Sequence, residues 1–302
     1  MTYLSYLSIR LLNLVFKLLP FWFIYGFSNV VRFVLLYIVR YRVDVAKQNF
    51  ALAFPDLTEG ERKKLLRDTY KNLADVFLET IKGNSMTRAQ IGKRYVLRNE
   101  NLVTRYFDKG QSIILVLAHT SNWEWAGLAL GMMAPKKILC IYKPMRNKLI
   151  DQHVKRARSR FGMILFPPQE TRAIIKTMTE TPSAMVLVAD QSPPSAASAI
   201  WVPFFGQETG FVPGPEFFAR RYNFPVINMD IRRVKRGYYE VDFLLISEEG
   251  RNSEKSEITN QYAVQLEQMI RGDVGSWLWT HKRWKKEKPA QLKDRKSILK
   301  EN

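Results

Sequence analysis

The sequence predicts an α/β fold: a mixed, largely parallel sheet flanked by helices and preceded by an N-terminal membrane-associated helical segment. Two observations carry this expectation. Apolar strand-length runs alternate with helix-length segments between residues 112 and 189, and one long stretch near the amino terminus is almost free of charge. With 302 residues, 46% of them hydrophobic, the chain can bury a full core.

From Leu18 to Val31 there is no charge, and Phe33 to Val39 continues the apolar run after Arg32. That length approaches a bilayer's width, but Pro20, Asn29 and Arg32 interrupt it. Arg10, Lys17, Arg32, Arg40, Arg42 and Lys47, interleaved with Trp22 and several Tyr and Phe, suit a segment lying in or dipping into an interface. The competing reading is an amphipathic hairpin buried in a soluble domain. No small-residue cleavage site follows a compact apolar core, so the segment is expected to be retained rather than removed as a signal peptide. Residues 1–45 are therefore assigned to the membrane-associated segment, 46–288 to the main domain and 289–302 to a flexible basic tail.

Thr58 and Glu61 have capping-box spacing, and Leu66, Tyr70, Leu73, Phe77 and Ile81 recur at helical spacing behind them, predicting a packing helix. After Gly83 the expected elements are strands at 112–118, 137–142, 162–166 and 184–189, with helices at 122–133, 147–160 and 169–180 between them. Pro225 to Val234 and Tyr238 to Ile246, joined by Lys235 to Gly237, read as a hairpin that extends the sheet. Ser256 to Arg271 reads as a further helix.

Against 28 Asp and Glu stand 47 Lys and Arg, a net charge of +19, which favours anionic partners. The single cysteine, Cys140, excludes an intramolecular disulfide and a Cys-rich metal site, and suits a reducing compartment. His119, His153 and His281 form no pair at ligand spacing, so no metal is expected. The usual nucleotide-binding modes lack support, because no glycine-rich phosphate loop follows the first strand.

The stretch Ala118-His-Thr-Ser-Asn-Trp-Glu-Trp125 carries the chemistry. A strand ending near His119 brings the imidazole to the sheet edge, and a helix starting at Asn122 puts Glu124 in its first turn. A base and an orienting carboxylate could then meet over one pocket, with His119 taking a proton from a hydroxyl. Ser121 and Glu124 also have capping-box spacing, which would leave Glu124 only a cap. Asp190 ends a strand and either faces a cleft or turns the chain before Ser192-Pro193-Pro194.

Five blocks in order resemble the lipid A biosynthesis acyltransferase family, the lauroyl and myristoyl transferases within the lysophospholipid acyltransferase group. They are Val43 to Pro55 with Asn49 and Phe50, the His-four-residues-Glu motif with Asn122 and Trp123, Val188 to Gln191, Val202 to Gly206, and Trp277 to Lys285. The resemblance implies a glycerol-3-phosphate acyltransferase-like fold. It also implies acyl transfer from an acyl carrier protein thioester to a hydroxyl of an anionic lipid A precursor, at the cytoplasmic face of the inner membrane, with no cofactor. His119 and Glu124 match the family's catalytic dyad. The resemblance further implies that Lys143, Arg146 and Arg158, in or just after a phosphate-binding block, touch the acceptor, although a solvated basic helix face explains them equally. Asn122 and Asp190 complete the expected substrate-binding set. His281, in the aromatic carboxy-terminal block, is expected to be structural or interfacial.

Ser-Pro-Pro-Ser-Ala-Ala after Gln191 and Glu216 within Pro-Gly-Pro-Glu depart from the family pattern, leaving chain length and acceptor open. Acylation of another lyso-lipid stays in view, as does a non-enzymatic basic protein bound to anionic lipid or nucleic acid. No nucleic-acid motif has recognisable spacing, so no nucleic-acid partner is expected.

Overall fold

The computed structural model describes residues 2–133 and 137–290. Its strands are β1 (Tyr95–Leu97), β2 (Ile113–Leu117), β3 (Lys137–Ile141), β4 (Met163–Phe166), β5 (Ser183–Val188), β6 (Ile200–Phe204), β7 (Gln207–Phe211), β8 (Val226–Lys235) and β9 (Tyr238–Ser247). Its helices are α1 (Thr2–Leu18), α2 (Phe21–Phe33), α3 (Val43–Ala53), α4 (Glu59–Gly83), α5 (Arg88–Arg94), α6 (Asn101–Asp108), α7 (Trp123–Leu130), α8 (Lys148–Ser159), α9 (Thr171–Glu180), α10 (Gly214–Tyr222) and α11 (Glu257–Gly272).

Seven strands form one sheet in the order β1-β9-β8-β2-β5-β3-β4. From β8 to β4 they run parallel, while β9 is antiparallel to β8 and β1 follows β9. The expected α/β class and the sheet-extending hairpin are therefore both present. Central β2 is buried along its whole length, which explains its unbroken apolar sequence: helices cover both faces of a parallel sheet. Two clusters make up most of the core, one around Val116, Phe204 and Trp279 and the other around Leu115, Trp125 and Tyr239.

The separate β6–β7 hairpin went unread in the sequence because Pro203 argues against a strand. A two-stranded ribbon has free edges, where proline removes no needed donor. Its turn takes Phe205 and Gly206 through positive φ.

α4 begins with the expected capping box: Thr58 N donates to Glu61 Oε2 at 2.8 Å, and Glu61 N to Thr58 Oγ1 at 3.3 Å. Of the apolar stripe read in the sequence, Tyr70 is buried and Leu66, Leu73 and Ile81 pack against core clusters, but Phe77 is 58% exposed and the buried surface extends to Asn72, Asp75, Glu79 and Lys82. The polar groups are tolerated inside because each is hydrogen-bonded. Lys82 Nζ, for example, donates to the carbonyls of Phe16, Lys17 and Leu19, closing the free end of α1 before Pro20 starts the next helix.

Leu11, Leu18, Trp22, Phe33 and Ile38 lie exposed along the first two helices and the π-helical turn Val34–Ile38. Phe21–Ile38 is long and apolar enough to cross a bilayer, and only 17% of it is buried within the protein. A hairpin packed into a soluble domain requires far more burial. Of the tail expected at 289–302, residues 291–302 lie outside the described residues.

Candidate active site

The site forms where adjacent parallel strands end. Leu117 on β2 stands opposite Val188 on β5, and Ala189 N donates to Leu117 O at 3.0 Å. Just past this pair, His119 Nδ1 lies 2.7 Å from Asp190 Oδ1. Asp190 Oδ2 accepts from His119 N at 3.1 Å and from Trp277 Nε1 at 2.8 Å. Burial by itself would raise the Asp190 carboxyl, but the charge and hydrogen bond of His119, with the Trp277 donor, hold it below the usual carboxylate range. An ionised carboxylate only accepts, so Nδ1 carries the hydrogen and Nε2 of the neutral ring keeps its lone pair.

His119 is 19% exposed on the wall of a cleft. Burial pushes its imidazolium downward, yet the Asp190 charge and hydrogen bond, with the Glu124 charge, outweigh this and leave its pKa above the ordinary histidine value. Trp123 packs edge-on against the ring at 5.1 Å. The carboxy-terminal aromatic block pins the turn from behind: Ser121 N donates to Ser276 O at 3.0 Å and Leu278 N to His119 O at 3.1 Å. Ser121 passes through positive φ (48°), a conformation that these anchors hold in place.

The orienting partner is thus Asp190, and this corrects the geometry expected of Glu124. Glu124 faces α8, where Arg158 Nη2 donates to Oε1 at 2.6 Å and Oε2 at 2.9 Å, and Arg158 Nε to Oε2 at 3.2 Å. Nor does Glu124 close a capping box. Asn122 is the cap, its Oδ1 accepting from Trp125 N at 2.9 Å, and Ser121 Oγ has no hydrogen-bond partner among the described residues.

The cleft has a volume of about 310 Å³. His119, Glu124, Arg158 and Lys143 form its polar side, and Leu117, Leu130, Met163, Leu165 and Val186 line an apolar interior. A polar mouth over an apolar pocket suits a ligand with a reactive head and a hydrocarbon tail.

Sequence comparison gives this geometry a family. The sequence model for "bacterial lipid A biosynthesis acyltransferase" matches residues 1–286. The chain belongs to the bacterial lipid A biosynthesis acyltransferase family. It is 21% identical over 251 residues to the lipid A biosynthesis palmitoleoyltransferase of Escherichia coli K12, covering 82% of this chain and 80% of the relative. It is 23% identical over 247 residues to a lipid A biosynthesis acyltransferase of Haemophilus influenzae, covering 81% and 78%. The lipid A biosynthesis lauroyltransferase of E. coli K12 is 23% identical over 206 residues, covering 68% and 66%.

In this acyltransferase the other expected site residues separate. Lys143 and Arg158 line the cleft, while Arg146 is exposed on the loop before α8, outside the lining. Asn122 is fully buried, with Nδ2 donating to Glu79 Oε2 at 2.7 Å and Oδ1 capping α7, so substrate cannot reach it. Asp190, 2% exposed with both oxygens occupied, is equally out of reach and acts on the ring instead. His281 accepts from Ser192 N at 3.1 Å, and burial drives its pKa down to about 4, which fits the expected structural part.

Gln191 and Glu79 were not singled out in the sequence. Gln191 Nε2 sits 3.4 Å from His119 Nε2, the one side-chain donor hydrogen-bonded at that nitrogen among the described residues. Its place directly after Asp190 in the Val-Ala-Asp-Gln block is the signal that could have found it. Glu79 sits between Phe77 and Ile81 of the apolar repeat on α4, and nothing local marks its carboxylate.

Proposed function

We propose that this acyltransferase moves a fatty acyl chain from an acyl carrier protein thioester to a hydroxyl of a lipid A precursor, at the cytoplasmic face of the inner membrane, with His119 as general base. The observation that carries the reading is the ring fixed at Nδ1 by ionised Asp190, with Nε2 presented at the mouth of an apolar pocket. His119 Nε2 takes the hydroxyl proton as the oxygen attacks the thioester carbonyl. The tetrahedral intermediate expels the carrier's thiolate, which recovers that proton from the imidazolium, leaving an ester and a free thiol. Cys140, also in the cleft lining, is no rival nucleophile: burial pushes its thiol up to about 11.

Within this reading Glu124 holds Arg158 at the cleft and adds negative charge near His119, while Arg158 and Lys143 attract the anionic acceptor. The exposed apolar surface of the first two helices supports a membrane position, and the net charge of +19 suits both an acidic carrier and a phosphorylated lipid. The deciding assay supplies acyl carrier protein thioester with either a tetraacylated lipid A precursor or a lysophospholipid. Transfer to the lysophospholipid alone would assign the enzyme to a different lyso-lipid.

Gln191 is positioned to turn its amide from the base to the developing oxyanion. Gln191→Ala is expected to lower kcat by roughly 10²-fold with little change in KM, as loss of one oxyanion donor does. An unchanged kcat would remove Gln191 from the reaction.

Pocket depth should set the chain that is transferred. Gly127 lines the pocket, and a Cβ there would stand 3.3 Å from Met163 Cε and 3.4 Å from its Sδ. Gly127→Leu should fill that space and shift preference to shorter chains, by roughly 10- to 200-fold per excluded methylene. Mass spectrometry of the products from mixed donors reads the shift directly.

A further inference from the structure

A second groove, about 600 Å³ in volume, lies between α1 and α8. Arg10, Lys17 and Arg160 line it, and its lining contains no carboxylate. Among the described residues none of these three cations forms a salt bridge. Arg160 Nη2 donates to Gly83 O at 2.7 Å, while its buried Nε has no hydrogen-bond partner among the described residues. Burial lowers the Arg160 pKa, and no carboxylate in the groove lining offsets it.

Neutral polar groups form the floor. Asn13 Nδ2 bonds His153 Nε2 at 2.7 Å, and Asn84 Nδ2 donates to Asn13 Oδ1 at 3.1 Å. Burial, then Arg10 and Arg156, depress the His153 pKa, so the ring adds no charge of its own near neutrality. On the rim Leu7, Leu11 and Leu14 stand 42%, 63% and 57% exposed, spaced along one face of α1. A soluble anion has no use for that leucine stripe. An amphiphile does.

We propose that this groove binds the phosphate headgroup of an anionic membrane phospholipid, with Arg10, Lys17 and Arg160 around the phosphate and the acyl chains along Leu7, Leu11 and Leu14. The inference rests on the reading that the amino-terminal helices meet the membrane. It adds a site distinct from the catalytic cleft, since α8 forms the wall between them: Arg158 lines the cleft, whereas His153 and Arg160 line the groove. A bound lipid would then brace the helix that carries Arg158 toward Glu124.

The test uses the full-length protein in flotation assays with phosphatidylcholine vesicles, with or without phosphatidylglycerol. Arg10→Gln/Lys17→Gln removes two exposed cations of the groove. Arg220→Gln/Arg221→Gln on α10 removes the same charge from an exposed site outside it. The groove variant should bind phosphatidylglycerol vesicles roughly 10- to 30-fold more weakly than wild type and keep its binding to pure phosphatidylcholine. The α10 variant should lose far less, and inorganic phosphate should not displace the vesicles.

Equal losses in both double variants would overturn the site in favour of general surface charge. Displacement by inorganic phosphate would make it a soluble-anion site. A raised KM for the acyl acceptor in phospholipid-free detergent would make the groove part of the acceptor site. If wild type binds neither vesicle, the membrane reading of the amino-terminal helices fails first, a result distinct from the other three.

Discussion

His119→Ala is expected to reduce acyl transfer by roughly 10²- to 10⁴-fold, the range of a lost general base, while the thermal unfolding midpoint changes little. The ring is partly exposed at the cleft wall, so truncating it opens the mouth rather than the core. Turnover of the variant close to wild type would exclude His119 as the base. Its two carboxylate neighbours should then separate by role. Asp190→Asn keeps the shape but removes the charge that fixes the ring, and should approach the loss seen for His119→Ala. Glu124→Gln should act mainly through Arg158 and raise the acceptor's KM.

The pH profile gives an independent reading of the same assignment. A base works deprotonated, and Asp190 and Glu124 raise the His119 pKa above its ordinary value of about 6.5. The rate of the wild type should therefore climb with pH through a midpoint above that value. Asp190→Asn should move the midpoint down, and Glu124→Gln should move it the same way without disturbing the Nδ1 hydrogen bond. A midpoint indifferent to both substitutions would place the titrating group elsewhere.

The largest stability effect is expected at Glu79. Its carboxylate accepts from Tyr25 OH at 2.8 Å, Asn122 Nδ2 at 2.7 Å and Tyr239 OH at 2.6 Å, so it joins α2, the active-site turn and β9. Glu79→Ala would strand those buried donors without an acceptor, a loss of roughly 3–5 kcal/mol by denaturant unfolding. Glu79→Gln keeps an acceptor and should cost much less.

Burial raises the Glu79 pKa, against the opposing pull of Arg233, Tyr239 and Tyr25. The folded state therefore holds this proton more tightly than the unfolded chain. The stability it gives is full below the unfolded value of about 4.3 and is lost as pH rises through the folded pKa. Glu79→Gln should remove that part of the slope when unfolding midpoints are compared across the series. Identical slopes would show that Glu79 does not titrate in that window.

The order of strands and helices from β2 to β5 was legible because each apolar run and each helical period is a local property. The β6–β7 hairpin was not, since Pro203 reads locally as a strand breaker and only the ribbon's open edge excuses it. The buried surface of α4 is only partly legible for a related reason: periodicity detects the apolar stripe of Leu66, Tyr70, Leu73 and Ile81, whereas Asn72, Asp75, Glu79 and Lys82 are buried through partners that lie far away in the chain.

The sequence by itself determined where His119 stands, an imidazole directly after an apolar strand within a recognisable block, together with the uncharged amino-terminal segment and the positive charge. Tertiary structure decided which carboxylate holds the ring. Spacing favoured Glu124, five residues away, but a helix start turns that side chain toward α8 and Arg158. Asp190, seventy-one residues on, reaches Nδ1 because β5 lies beside β2 in a register that sets Leu117 against Val188. Strand adjacency is fixed by how the helices cover the sheet, and no local pattern encodes it.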